Sequence, residues 1–248
     1  MDPALCPRED ETLDGLFQGR LKILQKKAGY RFSMDPVLLV YFAGNLRGGR
    51  VLDLGTGCGL IPLILARRGD VREAFGIELQ EELVEMAGRS VLINGLEDRV
   101  RILQGDFRRL KEIFPPQCFD HVLSNPPYHD PREGRKSPSN EKALSRHEQE
   151  GSIEELVQAA RYVLGTKGRL WLTYCPSHIG KLFKALEAGG FAPRTIRFVH
   201  GRVELPASMT LVEAVRGGKG ALRVQAPLIL YEQDKNYTEE LQRVYEMI

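Results

Sequence analysis

The chain has 248 residues, 42% of them hydrophobic and 27% charged, and its 35 basic and 33 acidic side chains leave a net charge of +2. That mixture excludes collagen-like, coiled-coil and fully disordered chains. A chain this long buries about 70% of its unfolded surface without metal or disulfide staples. The longest apolar runs, such as Val37–Ala43, fall far short of the ~18 residues of a membrane span. Asp2, Pro3, Arg8, Glu9, Asp10 and Glu11 do not form a basic and then apolar leader, so a secretory signal is not expected. Cys6, Cys58, Cys118 and Cys175 form no CxxC pair. They read as isolated thiols of a reducing, cytoplasmic compartment, with no zinc site.

In chain order, residues 1–45 form an N-terminal extension and residues 46–248 the main domain. In the extension, Ile23, Leu24, Tyr30 and Phe32 suggest a small hairpin. Asp35-Pro36 then opens a helix through Ala43, with Pro36 at the first helical position. Arg50–Leu54 reads as a buried strand, and Leu60–Arg68 as a helix stopped by Gly69. Strands follow at Glu73–Glu78, Val100–Gln104, Phe119–Ser124 and Arg169–Tyr174. Helices lie at Gln80–Ile93, Ile153–Leu164 (capped by Ser152) and Ser177–Ala188. Phe191–His200 and Met209–Arg216 close the pattern as two strands, and Tyr237–Met247 as a short helix. Trp171 falls in a strand and reads as core. This alternation predicts an α/β fold with a parallel sheet covered on both faces.

Two motifs carry chemistry. Asp53-Leu54-Gly55-Thr56-Gly57-Cys58-Gly59 joins a strand end to a helix start, where open α/β sheets bind ligands. Leu60 breaks the GxGxxG dinucleotide pattern, and no Gly-Lys-Ser/Thr follows as in a P-loop. Glu78 closes the next strand, where a carboxylate can accept both hydroxyls of a ribose. The loop with its preceding acid resembles the first motif of class I S-adenosylmethionine methyltransferases. In that family the acid after the third strand, here Asp106 beside Phe107, faces the adenine amine of the cofactor. The resemblance implies cofactor contacts from Asp53, Gly55, Thr56, Gly57, Gly59, Glu78, Leu79, Asp106, Phe107 and Asn125.

The second motif is Asn125-Pro126-Pro127-Tyr128, after the fourth strand. An exocyclic amine on a base delocalises its lone pair into the ring and is a poor nucleophile. The Asn125 side-chain oxygen and the Pro126 carbonyl could accept its two N–H bonds and favour a more tetrahedral nitrogen. Tyr128 could stack on the ring, worth ~1–3 kcal/mol. The tetrapeptide resembles the fourth motif of methyltransferases acting on planar amino groups: adenine N6, guanine N2 or glutamine N5.

Leu21–Gln25, Gly29–Asp35, Arg146-His147-Glu148, Pro227–Tyr231 and Tyr237–Glu240 together resemble the bacterial tRNA1(Val) (adenine(37)-N6)-methyltransferase family. This implies a class I, Rossmann-like fold of seven strands in the order 3-2-1-4-5-7-6, the seventh antiparallel, with helices on both faces. It also implies tRNA as partner and substrate, with an anticodon-loop adenine splayed from its stack. Residues 131–147 carry Arg132, Arg135, Lys136, Lys142 and Arg146 against Glu133 and Glu141, and residues 15–36 carry a second basic run from Arg20 to Arg31. The first is expected to meet phosphates as a basic lid, with Pro127, Tyr128, Arg132, Arg135, Lys136 and Arg146 on the substrate side; the second could help hold the tRNA arm, and a plain solvated face stands beside that reading. In the family, the segment matching Phe32, Ser33 and Asp35 lies over the cofactor pocket; helix capping by Ser33 or Asp35 stands beside that reading. His147 reads as a helix-start residue.

Three readings stay open on these grounds: RNA adenine-N6 methylation; glutamine-N5 methylation of a protein, or N-methylation of rRNA or DNA; and an RNA-binding scaffold that retains the cofactor. The short stretch ahead of Arg50 counts against the glutamine enzymes, which usually carry a separate helical domain there. No metal, membrane or obligate protein partner is indicated.

Overall fold

The computed structural model describes residues 5–28, 31, 33–46, 48–69, 71–126, 151–234 and 236–248. β1 (Glu11–Leu16) and β2 (Leu21–Lys26) pair antiparallel, from Glu11 opposite Lys26 to Leu16 opposite Leu21. The expected hairpin is therefore present, but its partner strand precedes Ile23 and Leu24. Tyr30 and Phe32 lie outside the described residues. The tip turns through Phe17, Gln18 and Gly19, all at positive φ. Leu21, Ile23 and Leu24 are fully buried, which fastens the hairpin to the core.

A buried ion pair makes a second anchor. Arg89 Nη2 sits 2.5 Å from Glu11 Oε1, and the two side chains are 8% and 1% exposed. Burial alone would raise the Glu11 carboxyl, but Arg89 and the Arg8 backbone amide outweigh it and hold it below the usual range. The pair therefore stabilises the fold above the ordinary glutamate value of 4.5, and that contribution is lost as pH falls through the depressed value. Glu11→Ala leaves Arg89 with Glu85 and the Cys6 carbonyl but removes its buried partner, and should cost about 1.5–3 kcal/mol in urea unfolding near neutral pH. An unchanged midpoint would show that the pair anchors nothing.

Helices α1 (Asp35–Ala43), α2 (Leu60–Arg68), α3 (Glu81–Ile93), α4 (Ile153–Val163), α5 (Ile179–Ala188) and α6 (Glu239–Tyr245) alternate with β3 (Gly49–Leu54), β4 (Val71–Glu78), β5 (Val100–Gln104), β6 (Phe119–Ser124), β7 (Leu164–Tyr174), β8 (Phe191–His200), β9 (Ala207–Arg216), β10 (Arg223–Val224) and β11 (Leu228–Ile229). Among the described residues β3 to β11 form one sheet, ordered β10-β8-β9-β7-β6-β3-β4-β5, with β11 also on β8. Numbered from β3, its seven long strands run 3-2-1-4-5-7-6, and β9 is antiparallel to both neighbours. The order matches the expectation. The additions are β10 and β11, two-residue strands lying parallel on the outer edge of β8. β7 also starts at Leu164, five residues before the expected Arg169, and carries Lys167 at φ 65° within it.

The local reasons are visible in the sequence. Ser152 and Glu155 form a reciprocal capping box on α4, and Thr238 Oγ1 caps α6 by accepting from Leu241 N. Gly69 stops α2 in the left-handed region. In α1 the expectation needs correcting. Met34 occupies the cap position without a side-chain bond, Asp35 is the first helical residue and Pro36 the second. The Ser33 hydroxyl accepts the Asp35 amide at 3.3 Å. Residues of the hairpin, α1, α2, α3 and α6 form one core on one sheet face, where Trp171 is buried. Those of α4 and α5 form another on the opposite face, where Phe75, Phe114 and Phe119 meet edge to face. Both faces of the sheet are thus sealed, and the strand ends remain as the place for chemistry.

Candidate active site

Between β3 and α2 the chain turns through Gly55, Gly57 and Gly59, all at positive φ. The turn is pinned by the Gly55 and Thr56 amides, which both donate to the Ile77 carbonyl. Gly59 is required on two counts: its φ is +82°, and a Cβ there would sit 3.1 Å from that of Ala87. Gly76 clears the way for Thr56, whose Cγ2 would lie 2.7 Å from a Cβ at that position. Asp53, Gly55, Thr56 and Asn125 line one cleft together with Pro36, Cys58, Leu60 and Ile61. Sequence reasoning placed the first four there and missed the others. Cys58 and Leu60 were visible inside or beside the glycine motif; Pro36 comes from the extension and could not be placed without the fold.

Asp53 is the electrostatic centre of the cleft. It is 1% exposed, and among the described residues neither carboxyl oxygen has a hydrogen-bond partner. Burial raises it to about 7; the nearby Thr56 hydroxyl opposes the shift in part, and the like charge of Glu78 adds to it. Cys58 is pushed up to about 12, chiefly by burial, so it serves as a neutral packing thiol. Glu78 ends β4 at 7% exposure. Its Oε2 accepts from Gly57 N at 2.9 Å and its Oε1 from Gln80 N at 3.0 Å. Those bonds fix the carboxylate in orientation and leave lone pairs for a ligand.

Gly105 N donates to the Glu78 carbonyl, which sets the end of β5 beside that of β4. Asp106 follows, and its carboxylate accepts from the amide and guanidinium of Arg108, with an ion-pair distance of 2.6 Å. Burial would raise the Asp106 carboxyl, but these bonds outweigh it and hold it below the usual range. Phe107 opens a 3-10 turn over Phe107–Glu112, which the sequence reading had not marked. Leu79, which follows Glu78, is 39% exposed. Asp35 does not line the cleft, although its neighbour Pro36 does.

At the end of β6, Ser124 is fully buried and its hydroxyl donates to the Leu54 carbonyl at 2.7 Å. That bond ties the strand bearing Asn125 to the strand feeding the glycine loop. From the next strand, Thr173 Oγ1 donates to Asn125 Oδ1 at 2.5 Å. Thr173 is fully buried. An amide held this way keeps its oxygen in one orientation. Pro126 follows, half-buried. Pro127, Tyr128, Arg132, Arg135, Lys136, Arg146 and His147 lie outside the described residues.

Comparison with known proteins assigns the chain to a family. Residues 35–181 match the Methyltransferase small domain family. A Porphyromonas gingivalis protein named tRNA1(Val) (adenine(37)-N6)-methyltransferase is 33% identical over 159 residues, 62% of each chain. The first four such relatives are spanned over 60–63% of their length. A Tolumonas auensis protein of the same name is 27% identical over 218 residues, 87% of this chain and 88% of its own. Among solved structures, a predicted O-methyltransferase from Agrobacterium tumefaciens shares the fold with a TM-score of 0.68 at 24% identity, covering 86% of this chain and 95% of that one. TrmN from Thermus thermophilus superposes with a TM-score of 0.52 at 26% identity, covering 73% of this chain and 47% of its own. With more than half of its length inside the family match, and with the sheet order and glycine loop described above, the chain belongs to the methyltransferase small domain family.

Proposed function

We propose that the protein transfers a methyl group from S-adenosylmethionine to the exocyclic N6 of adenine in RNA, at position 37 of a tRNA anticodon loop, in the cytoplasm. One observation carries the reading: Asn125, oriented by Thr173, lines the same cleft as the glycine loop and the unpartnered Asp53 carboxyl. The relatives that bear the tRNA1(Val) name support the choice of substrate.

The residues present fit the cofactor. A buried acidic group without donors calls for a cationic partner. The glycine loop admits a ligand close to the backbone. When bound, S-adenosylmethionine supplies an electrophilic methyl group on a sulfonium centre. Asp53, Gly55, Thr56, Gly57 and Gly59 would hold its amino-acid end. Glu78 and Leu79 would hold the ribose, Asp106 and Phe107 the adenine, and Asp35 and Asn125 would close over it. On the substrate side, Asn125 Oδ1 and the Pro126 carbonyl accept the two N–H bonds of the amine. Tyr128 stacks on the base beside Pro127, and Arg132, Arg135, Lys136 and Arg146 meet the phosphates. Positioning of this kind can supply about 7–11 kcal/mol of barrier lowering.

Labelled S-adenosylmethionine offered with total tRNA, duplex DNA or release factor tests the proposal. Label in tRNA that digests to N6-methyladenosine is expected; label in protein alone would defeat it. Thr173 supplies a finer check. Thr173→Val should lower kcat about 10–100-fold, because a freed amide can turn its NH2 toward the amine, while cofactor affinity and the KM for tRNA stay near wild type. Thr173→Ser should restore most of the rate. A KM defect in place of a kcat defect would contradict the role.

A further inference from the structure

A second concavity opens on the same sheet face as α1, but toward the other end of the strands. Arg169 lies four residues before Thr173 on β7, about 13 Å along the strand. Arg169 faces Val215 across β9; two residues along, Glu213 faces Thr195 of β8, and Thr195 faces Arg223 of β10. Positions two apart and directly opposite share a face, so Arg169, Glu213, Thr195 and Arg223 stand together. Arg194, next to Thr195, would point to the opposite face in a regular strand. The register slips here, however. Pro193 faces Ala214 and Thr195 faces Glu213, which leaves Arg194 as an extra residue. A bulge re-aims a side chain, and Arg194 lines the same cavity of about 330 Å³ as Arg169 and Arg223.

Two of the three guanidinium groups are held from behind. Glu213, only 6% exposed, pairs with Arg169 and accepts the Thr195 hydroxyl at 2.6 Å. The Lys219 carbonyl accepts from Arg194 Nη1 at 2.7 Å. Next to it, Gly220 has a φ of +113°, and a Cβ there would run into the Arg194 guanidinium. Arg223 is exposed and has no hydrogen bond or ion pair among the described residues. Each guanidinium carries five N–H donors, so most remain unused. Three cations against one carboxylate leave the concavity with a surplus of two positive charges. Donors in fixed forks, with net positive charge in a recess, are the requirements for a tetrahedral oxyanion.

We propose that this cavity binds a phosphate group, with Arg169, Arg194 and Arg223 as donors and Glu213 and Lys219 as the braces that aim two of them. The phosphate belongs either to an RNA backbone, a source that rests on the function proposed above, or to a small phosphorylated molecule.

The test compares the full-length protein with Arg223→Ser and with Arg194→Ser/Arg223→Ser. Millimolar inorganic phosphate, with chloride at matched ionic strength as control, should raise the Tm of the wild type by about 2–4 °C and that of the double variant hardly at all. S-adenosylhomocysteine should shift all three proteins equally, which shows that the variants are folded and that the cleft is intact. Arg223→Ser changes only an exposed edge residue, so it keeps the comparison usable if the double variant misfolds. In the second arm, tRNA binding is followed against salt. A log–log slope shallower by about 1–2 in the double variant identifies RNA as the source; an unchanged slope with the phosphate shift lost identifies a small molecule. A wild type that phosphate does not stabilise beyond chloride, or a shift that survives in both variants, overturns the proposal. Should the wild type bind no tRNA, the functional reading fails while the phosphate arm still decides this site.

Discussion

Asn125→Ala should reduce methyl transfer by about 10²–10³-fold or more while leaving the affinity for S-adenosylmethionine nearly unchanged. The magnitude is that of removing one preorganised polar group aimed at the reacting atoms. The amine to be methylated is weak because its lone pair is shared with the ring. It gains nucleophilicity only when both N–H bonds are drawn into fixed acceptors. In the proposed reaction Asn125 would be such an acceptor, because Thr173 sets its amide and Ser124 ties its strand to β3. Truncating the Asn125 side chain removes the Thr173 bond but leaves the Ser124 hydroxyl tying β6 to β3, so the strand frame of the cleft is kept. The binding of labelled cofactor and single-turnover transfer to tRNA separate the two effects. A matching loss of cofactor affinity would place Asn125 in the cofactor pocket and remove it from the chemistry.

Asp53→Asn should act in two opposite directions. In the free protein the carboxyl is buried, without partners, and raised from 3.8 to about 7. For a raised acid the sign is clear. The folded state holds the proton more tightly, so no penalty exists below the unfolded value. The penalty grows as pH rises toward 7 and is complete above it. At about 1.4 kcal/mol per pH unit, ionised Asp53 costs the free protein on the order of 4 kcal/mol. Asparagine of the same shape removes that cost, so the variant's Tm should exceed the wild type's near pH 8, and the gap should narrow as pH falls and close below about 3.8. The cofactor should feel the reverse. Its cationic end is offered a carboxylate by the wild type and a neutral amide by the variant, so affinity should fall at least about tenfold near pH 8. Wild-type affinity should rise between about pH 6 and pH 8, and the variant should show no such rise. A variant that is less stable when free, or that binds equally well, would show that the carboxyl has an internal partner.

The long strands were legible because each is a short apolar run bounded by turn residues, while their order in the sheet followed only from the family resemblance. The glycine loop was legible because its spacing announces a strand end. Asp53, Gly55, Thr56 and Asn125 meet in one cleft as their motifs implied. What escaped reading depends on pairing between distant segments. Thr173 reaches Asn125 across 48 residues, and a threonine at a strand end carries no mark of the register that brings it there. Glu11 and Arg89 are 78 residues apart, and each alone reads as an ordinary surface charge. β10 and β11 are too short to show a period, and their edge position exists only because β8 offers an unpaired side. Arg194 is the sharpest instance: its face is decided by a one-residue slip that alternation along the chain cannot reveal.

A crystal structure of the protein with S-adenosylhomocysteine tests the central arrangement most directly. The account predicts the ribose hydroxyls on Glu78, the amino-acid end beside Asp53 and the sulfur facing the Asn125 side chain. A sulfur turned away from Asn125, or a ribose that leaves Glu78 bound only to Gly57 and Gln80, would contradict it.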